Sequence, residues 1–187
     1  MSRLIYPIVS DRLLLRPVIE SDAPSIQAYH SLEEVAKYQF WEPRSEEAVR
    51  GEVKKWTTHS QIDGEGDLQL AVILKKSGEL IGDVFFKITD AAARQGTVGY
   101  TFNPAFQGKG YATEAAKVML KLGFETFDLH RMFARCDARN VPSWRLMERL
   151  GMRREAHFKE HALFKGGWDE EFYYAILQRE WRQLTVT

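Results

Sequence analysis

Residues Asn103–Phe127 read NPAFQGKGYATEAAKVMLKLGFETF, and their pattern decides how the rest of the chain is arranged. Ala112, Ala115, Ala116, Met119, Leu120, Gly123, Phe124 and Phe127 recur at the spacing of one helical face. The segment is therefore an amphipathic helix that leaves Glu114, Lys117 and Lys121 in water. Ahead of it, Gln107-Gly108-Lys109-Gly110-Tyr111-Ala112 is a glycine-bearing turn. Gly108 and Gly110 have no side chains to shield the backbone, so several N–H groups at the helix start can converge on one ligand. The helix dipole and the Lys109 charge favour an anion there, and phosphate fits best. A glycine turn before a helix also serves as a plain tight connection, and the spacing alone leaves both roles open.

The chain of 187 residues is 44% hydrophobic and 28% charged, which suits a single domain, 1–187, with a sizeable core. Lys plus Arg balance Asp plus Glu at 26 each, so the basic excess of a general nucleic-acid or membrane-surface binder is missing. Cys136 is the only cysteine, which excludes an intrachain disulfide and agrees with a reducing compartment. The N-terminal MSRLIYPIVSDRLLLRP is broken by charges and Pro7 before a signal-peptide core forms, and no run approaches a membrane span. A cytoplasmic protein is expected.

Working outward, Arg12–Arg16 (RLLLR) reads as a strand ending at Pro17, followed by a helix capped by Ser21 or Asp22 with Pro24 in its first turn. Residues 31–43 carry no clear pattern. Ser45 caps a second helix with Val49, Val53 and Trp56 on one face, ending near His59. Leu68–Lys75, Leu80–Ile88 and Thr97–Asn103 are three antiparallel strands. After the central helix, Arg131–Asp137 is a strand; Asn140 then caps a short helix with Pro142 in its first turn and Gly151 as its stop. Arg154–Phe164 and Trp168–Leu177 close the chain as a hairpin. The result is an α/β (α+β) domain with a mixed sheet of about seven strands flanked by helices. It alternates βα too rarely for a doubly wound dinucleotide fold.

Two nucleotide motifs are excluded at the turn. No Lys-Ser or Lys-Thr pair follows the second glycine as a nucleoside-triphosphate loop requires, and Ala112–Glu114 supply no third glycine for a dinucleotide fingerprint. Gln107-x-x-Gly110-x-Ala112 instead resembles the acyl-CoA pyrophosphate loop of the GNAT superfamily of N-acetyltransferases. Gly99-Tyr100 through Pro104, GKGYATEA, Asn140-x-x-Ser143 and Glu148-Arg149-Leu150-Gly151-Met152 are similar to its RimJ/RimL branch, which acetylates N-terminal amines of ribosomal proteins. The resemblance runs from RLLLRP to Glu180-Trp181.

The resemblance implies the GNAT fold, acetyl-CoA as donor, and direct attack of a primary amine on the thioester. It implies a donor site at Tyr100, Phe102, Gln107, Gly108, Lys109, Gly110, Tyr111, Ala112, Thr113, Asn140 and Ser143, with backbone N–H groups of residues 108–113 on the pyrophosphate. It also implies that strand 98–102 parts from strand 131–137 to admit pantetheine. Ser143 matches the serine proposed to protonate the departing thiolate, whereas local sequence gives only a first-turn residue beside the Asn140 cap. Tyr173 and Tyr174 are lower-ranking acids. An α-amine with pKa near 8 is roughly a tenth neutral at pH 7, while a lysine near 10.4 is almost wholly charged, so an N-terminal acceptor needs less help from a base. Candidate bases are Asp83, Glu160 and His161, and Glu160 joins Ser143 as the catalytic set.

Cys136 has no assigned task. His157 and His161 share a strand about 13 Å apart, too far for one ion, so no metal is expected. Tyr38, Trp41 and Trp56 are either core or walls of the acceptor pocket. The favoured acceptor is a protein N-terminus. A polyamine, aminoglycoside or amino acid, or a non-catalytic acyl-CoA-binding module, are the alternatives. Nucleic acid and membrane are not expected partners, and a homodimer is left open.

Overall fold

Alternating branched residues build the centre of the molecule. The computed structural model describes residues 3–62 and 64–185, and among these eight strands form one sheet. In chain order the elements are β1 (Ile8–Val9), β2 (Leu13–Pro17), α1 (Ala23–His30), α2 (Glu33–Ala36), α3 (Glu46–Trp56), β3 (Gly66–Leu74), β4 (Leu80–Asp90), β5 (Gln95–Phe102), α4 (Tyr111–Lys121), β6 (Arg131–Asp137), α5 (Val141–Arg149), β7 (Arg153–Phe164), β8 (Gly167–Leu177) and α6 (Gln178–Thr185). The strand order is β1-β2-β3-β4-β5-β6-β8-β7, antiparallel except for the β5–β6 pair.

The period of two sorts the side chains into two layers. Leu70 and Val72 of β3, with Val84 and Phe86 of β4, pack with Met119 and Leu120 of α4 and Leu146 of α5. Ala71 and Ile73 point the other way, onto Ile26 and Tyr29 of α1 and Val49 and Val53 of α3. The sheet thus carries α4 and α5 on one face and α1 and α3 on the other.

Several expectations need correction. Asp22 stands at the N-cap of α1, yet its carboxylate accepts from Arg16 and from the Ile19 backbone rather than capping the helix. A short α2 fills part of the unreadable 31–43 stretch. The chain closes on α6 rather than on the hairpin, and the strands number eight because two residues of the N-terminal lead pair with β2. Helix α4 runs on as a π-turn, Leu122–Thr126. Ser45 and Asn140 do cap α3 and α5, through Ala48 and Ser143 N–H respectively.

The β5–β6 pair positions the site. Register holds only at Gln95–Arg131, Gly96–Met132 and Thr97–Phe133. Beyond Thr97, β5 stays with β4 as far as Phe102, while β6 stays with β8 as far as Asp137. Each strand follows its antiparallel partner, the sheet twist separates them, and a gap opens toward their C-terminal ends.

Candidate active site

The glycine turn joins the end of β5 to α4. Asn103 Oδ1 accepts from Ala105 N–H at 3.0 Å and holds a 3₁₀ turn, Pro104–Phe106, while Gln107 Nε2 donates to the Phe102 carbonyl at 3.3 Å. Gly108 and Gly110 have φ of 74° and 80°, a region costly for any residue with a Cβ. Gly110 is the N-cap of α4 and offers no side chain to the first-turn N–H groups, which stay open to a ligand. Nothing lies within 4 Å of where a Cβ would stand on Gly108. This bare, open cradle fits a pyrophosphate.

Lys109 behaves differently from expectation. Its ammonium reaches back to the Ala105 carbonyl and lies over the Phe106 ring, and the residue is not among the cleft walls. The cation against the turn is Arg12. Its Nη1 donates to Lys109 O at 2.9 Å, its Nε to Glu114 Oε2 at 2.7 Å, and its guanidinium covers the Tyr111 ring at 4.6 Å.

From the turn a cleft of about 1120 Å³ follows the gap between β5 and β6 through the sheet. Tyr100, Phe102, Asn140 and Ser143 line its middle, beside Gln107, Gly108 and residues 110–113 at the turn. Ser143, in the first turn of α5, has its Oγ 3.0 Å from the Tyr100 hydroxyl, which also donates to the Ser143 carbonyl at 3.2 Å. Burial pushes the Tyr100 phenol far above its usual pKa, so it stays protonated and shares its hydrogen bond with the serine. Asn140 lines the cleft while its Oδ1 accepts from Ser143 N–H at 3.4 Å, so capping aims the serine. Cys136 sits beside Ser143 with its thiol pushed up to about 12 by burial, which makes it a wall rather than a nucleophile.

On the α1–α3 face the cleft ends at Asp83, which is 4% exposed. Oδ2 accepts from the Tyr29 hydroxyl at 2.7 Å and faces His30 Nε2 at 3.0 Å, and Oδ1 accepts from Gln69 Nε2 at 2.6 Å. His30 stacks on Trp41 with ring centres 4.6 Å apart. Tyr38, Trp41, Trp56, Phe85 and Tyr173 are further walls of this half. Tyr174 faces the other way, its hydroxyl on Glu148.

Glu160 and His161 do not reach this cleft. Lys159 pairs with Glu170 and Leu163 with Trp168, so residues 160–162 stand opposite Asp169 alone. This bulge, with Glu160 at φ 50°, breaks the alternation assumed from sequence and leaves Glu160 exposed. His161 lies against Asp169 at 3.0 Å and Glu171 at 3.6 Å, while His157 pairs with Glu170. Tyr29, His30, Gln69 and Arg12 were missed by sequence reasoning. Each acts on a partner on another element of the fold, and no local pattern marks them.

The profile of the acetyltransferase (GNAT) domain matches residues 12–153. The chain belongs to the GNAT acetyltransferase family. Among GNAT relatives, an uncharacterized N-acetyltransferase, YnaD, of Bacillus subtilis is 38% identical over 93% of this chain and 98% of its own. A GNAT-family acetyltransferase from Bacillus anthracis superposes with a TM-score of 0.83 at 36% identity, covering 92% of this chain and 98% of that one. More distant Escherichia coli relatives are a ribosomal protein uS5-alanine N-acetyltransferase, 25% identical over 93% and 92% of the two chains, and a spermidine N(1)-acetyltransferase, 22% identical over 89% and 87%. The GNAT fold, α/β with a mixed eight-stranded sheet, and N-acetyltransferase activity follow from this membership. None of the described helices is long and apolar enough to cross a membrane.

Proposed function

We propose that this GNAT enzyme acetylates a protein N-terminal α-amine from acetyl-CoA, in the manner of the RimJ/RimL branch. One observation carries the proposal: a single cleft joins the bare turn, the Ser143–Tyr100 pair and buried Asp83 across the sheet. Acetyl-CoA bound there supplies an acyl thioester and a thiol leaving group. Backbone N–H groups of the α4 start would hold its pyrophosphate, and the unpaired edges of β5 and β6 would accept and donate along its pantetheine. Ser143 Oγ would hydrogen-bond the departing sulfur and pass it a proton that water in the open cleft replaces, while the Tyr100 hydroxyl, held protonated, orients the serine. Asp83 replaces Glu160 and His161 as the group that receives the acceptor's ammonium and takes its proton, directly or through one water. Tyr29, His30 and Gln69 hold that carboxylate still.

The acceptor half favours one ammonium. Asp83 is a single deeply buried carboxylate among aromatic faces, with Glu34 as the other acidic wall, whereas a polyamine calls for several charges spread along its length. A CoA-release assay over peptide N-termini, polyamines and aminoglycosides tests this. Turnover is expected with peptides that present an apolar residue beside a free α-amine. Faster turnover with spermidine would replace the acceptor, and CoA binding without turnover on any amine would leave a binding module.

A further inference from the structure

We propose that Arg12 is a positioning residue for the donor-phosphate turn, which it locks by tying the turn to the start of β2 and to the first turn of α4. The proposal rests on the donor site described above. Five contacts between residues 10–12 and 109–114, about a hundred positions apart, make the tie. Arg12 Nη1 donates to the carbonyl of Lys109, between the two left-handed glycines, at 2.9 Å. Its Nε and backbone N–H each donate to Glu114 at 2.7 Å, and Ser10 Oγ donates to the same carboxylate at 2.7 Å. The guanidinium lies over the ring of Tyr111, the first residue of α4, at 4.6 Å from its centre, and its Nη2 stands 3.4 Å from where a Gly110 Cβ would be.

The physical need is plain. Gly108 and Gly110 give the turn the φ values that bare its N–H groups, but glycine also gives it the most freedom to leave them. A turn that is competent only part of the time binds its ligand weaker by that fraction. The planar fork of Arg12 bonds a turn carbonyl and the Glu114 carboxylate together, a span an ammonium cannot reproduce. Glu114 is 15% exposed on its side chain, and the bonds from Arg12 and Ser10 outweigh its burial and hold its carboxyl below the usual range, so it is a fixed anchor.

Charge alone and positioning predict opposite signs for one substitution. Glu114→Gln removes a negative charge from beside a phosphate site and would tighten CoA if the site worked only through its field. Loss of the anchor should instead weaken CoA about five- to tenfold. Calorimetric titration with CoA and steady-state kinetics measure this, with far-UV circular dichroism and melting as the check on folding. Arg12→Ala should raise the CoA Kd about tenfold, with kcat at saturating donor and KM for the amine within twofold of wild type. Arg12→Lys should stay closer to Arg12→Ala than to wild type, and the Arg12→Ala/Glu114→Gln pair should match the single variants rather than sum them. Tighter binding by Glu114→Gln, full rescue by lysine, or unchanged Kd in a folded Arg12→Ala overturns the clamp. Wild type that fails to bind CoA overturns the donor site itself, and the clamp with it.

Discussion

Ser143 Oγ and the Tyr100 hydroxyl lie 3.0 Å apart, and kinetics test whether they act as one unit. Ser143→Ala should lower kcat about a hundredfold with the CoA Kd within twofold, the pattern of a group that acts only in the transition state. Tyr100→Phe should produce a comparable kcat loss, and the double variant should lose little more than either one, because the two hydroxyls act as a unit. A fully additive double variant would separate them. Cys136, beside this pair, has its thiol pushed up to about 12 by burial. At pH 7.5 alkylation of the folded protein should be at least tenfold slower than that of the unfolded chain, read by intact mass after timed iodoacetamide treatment. Fast labelling would mean an accessible thiolate.

At the scale of elements, the tip of the β7–β8 hairpin holds one wall of the cleft. Lys165 at its tip donates to the carbonyls of Ala36 and Trp41 at 2.8 Å each, and Phe164 packs against Phe40. The hairpin therefore fastens the segment after α2 that carries Tyr38 and Trp41 into the cleft. Lys165→Met should raise KM for the amine about three- to tenfold and leave the CoA Kd unchanged. Equal changes in both would mean general loosening. Local chemistry made α3, α4, β6 and α5 legible, because caps, glycines and apolar periods lie within a few residues of one another. Helix α6 was not legible: QREWRQLT is polar on most faces, follows β8 without a turn residue, and is tied in by buried Trp181 against Phe124 and by Glu180, which accepts from Arg153 and the Leu177 N–H. The bulge at residues 160–162 was hidden for the same reason, since only pairing with β8 reveals the extra residues.

For the whole molecule, arginine–carboxylate pairs contribute to the acid sensitivity of the fold. The Arg131 guanidinium, helped by Arg153, holds the Glu155 carboxyl below the usual range, and the Leu177 N–H together with Arg153 does so for Glu180. A depressed carboxyl adds stability in full above its unfolded pKa, about 4.3, and loses it as pH falls through the lower folded value. The melting temperature should therefore fall below about pH 4.3. The Glu155→Gln/Glu180→Gln variant should melt lower at pH 7 and show a shallower acid decline; an unchanged decline would assign the acid limit elsewhere. By itself the sequence determined the fold class, the glycine-bared start of α4 and the capping of α5, because each is written in adjacent residues whose backbone demands are local. Only the tertiary structure decided which carboxylate lines the cleft and which cation bonds the turn. Asp83 instead of Glu160, and Arg12 instead of Lys109, are choices made by strand register and by contacts across about a hundred residues, where side-chain direction depends on the partner strand and helix rather than on neighbours in sequence.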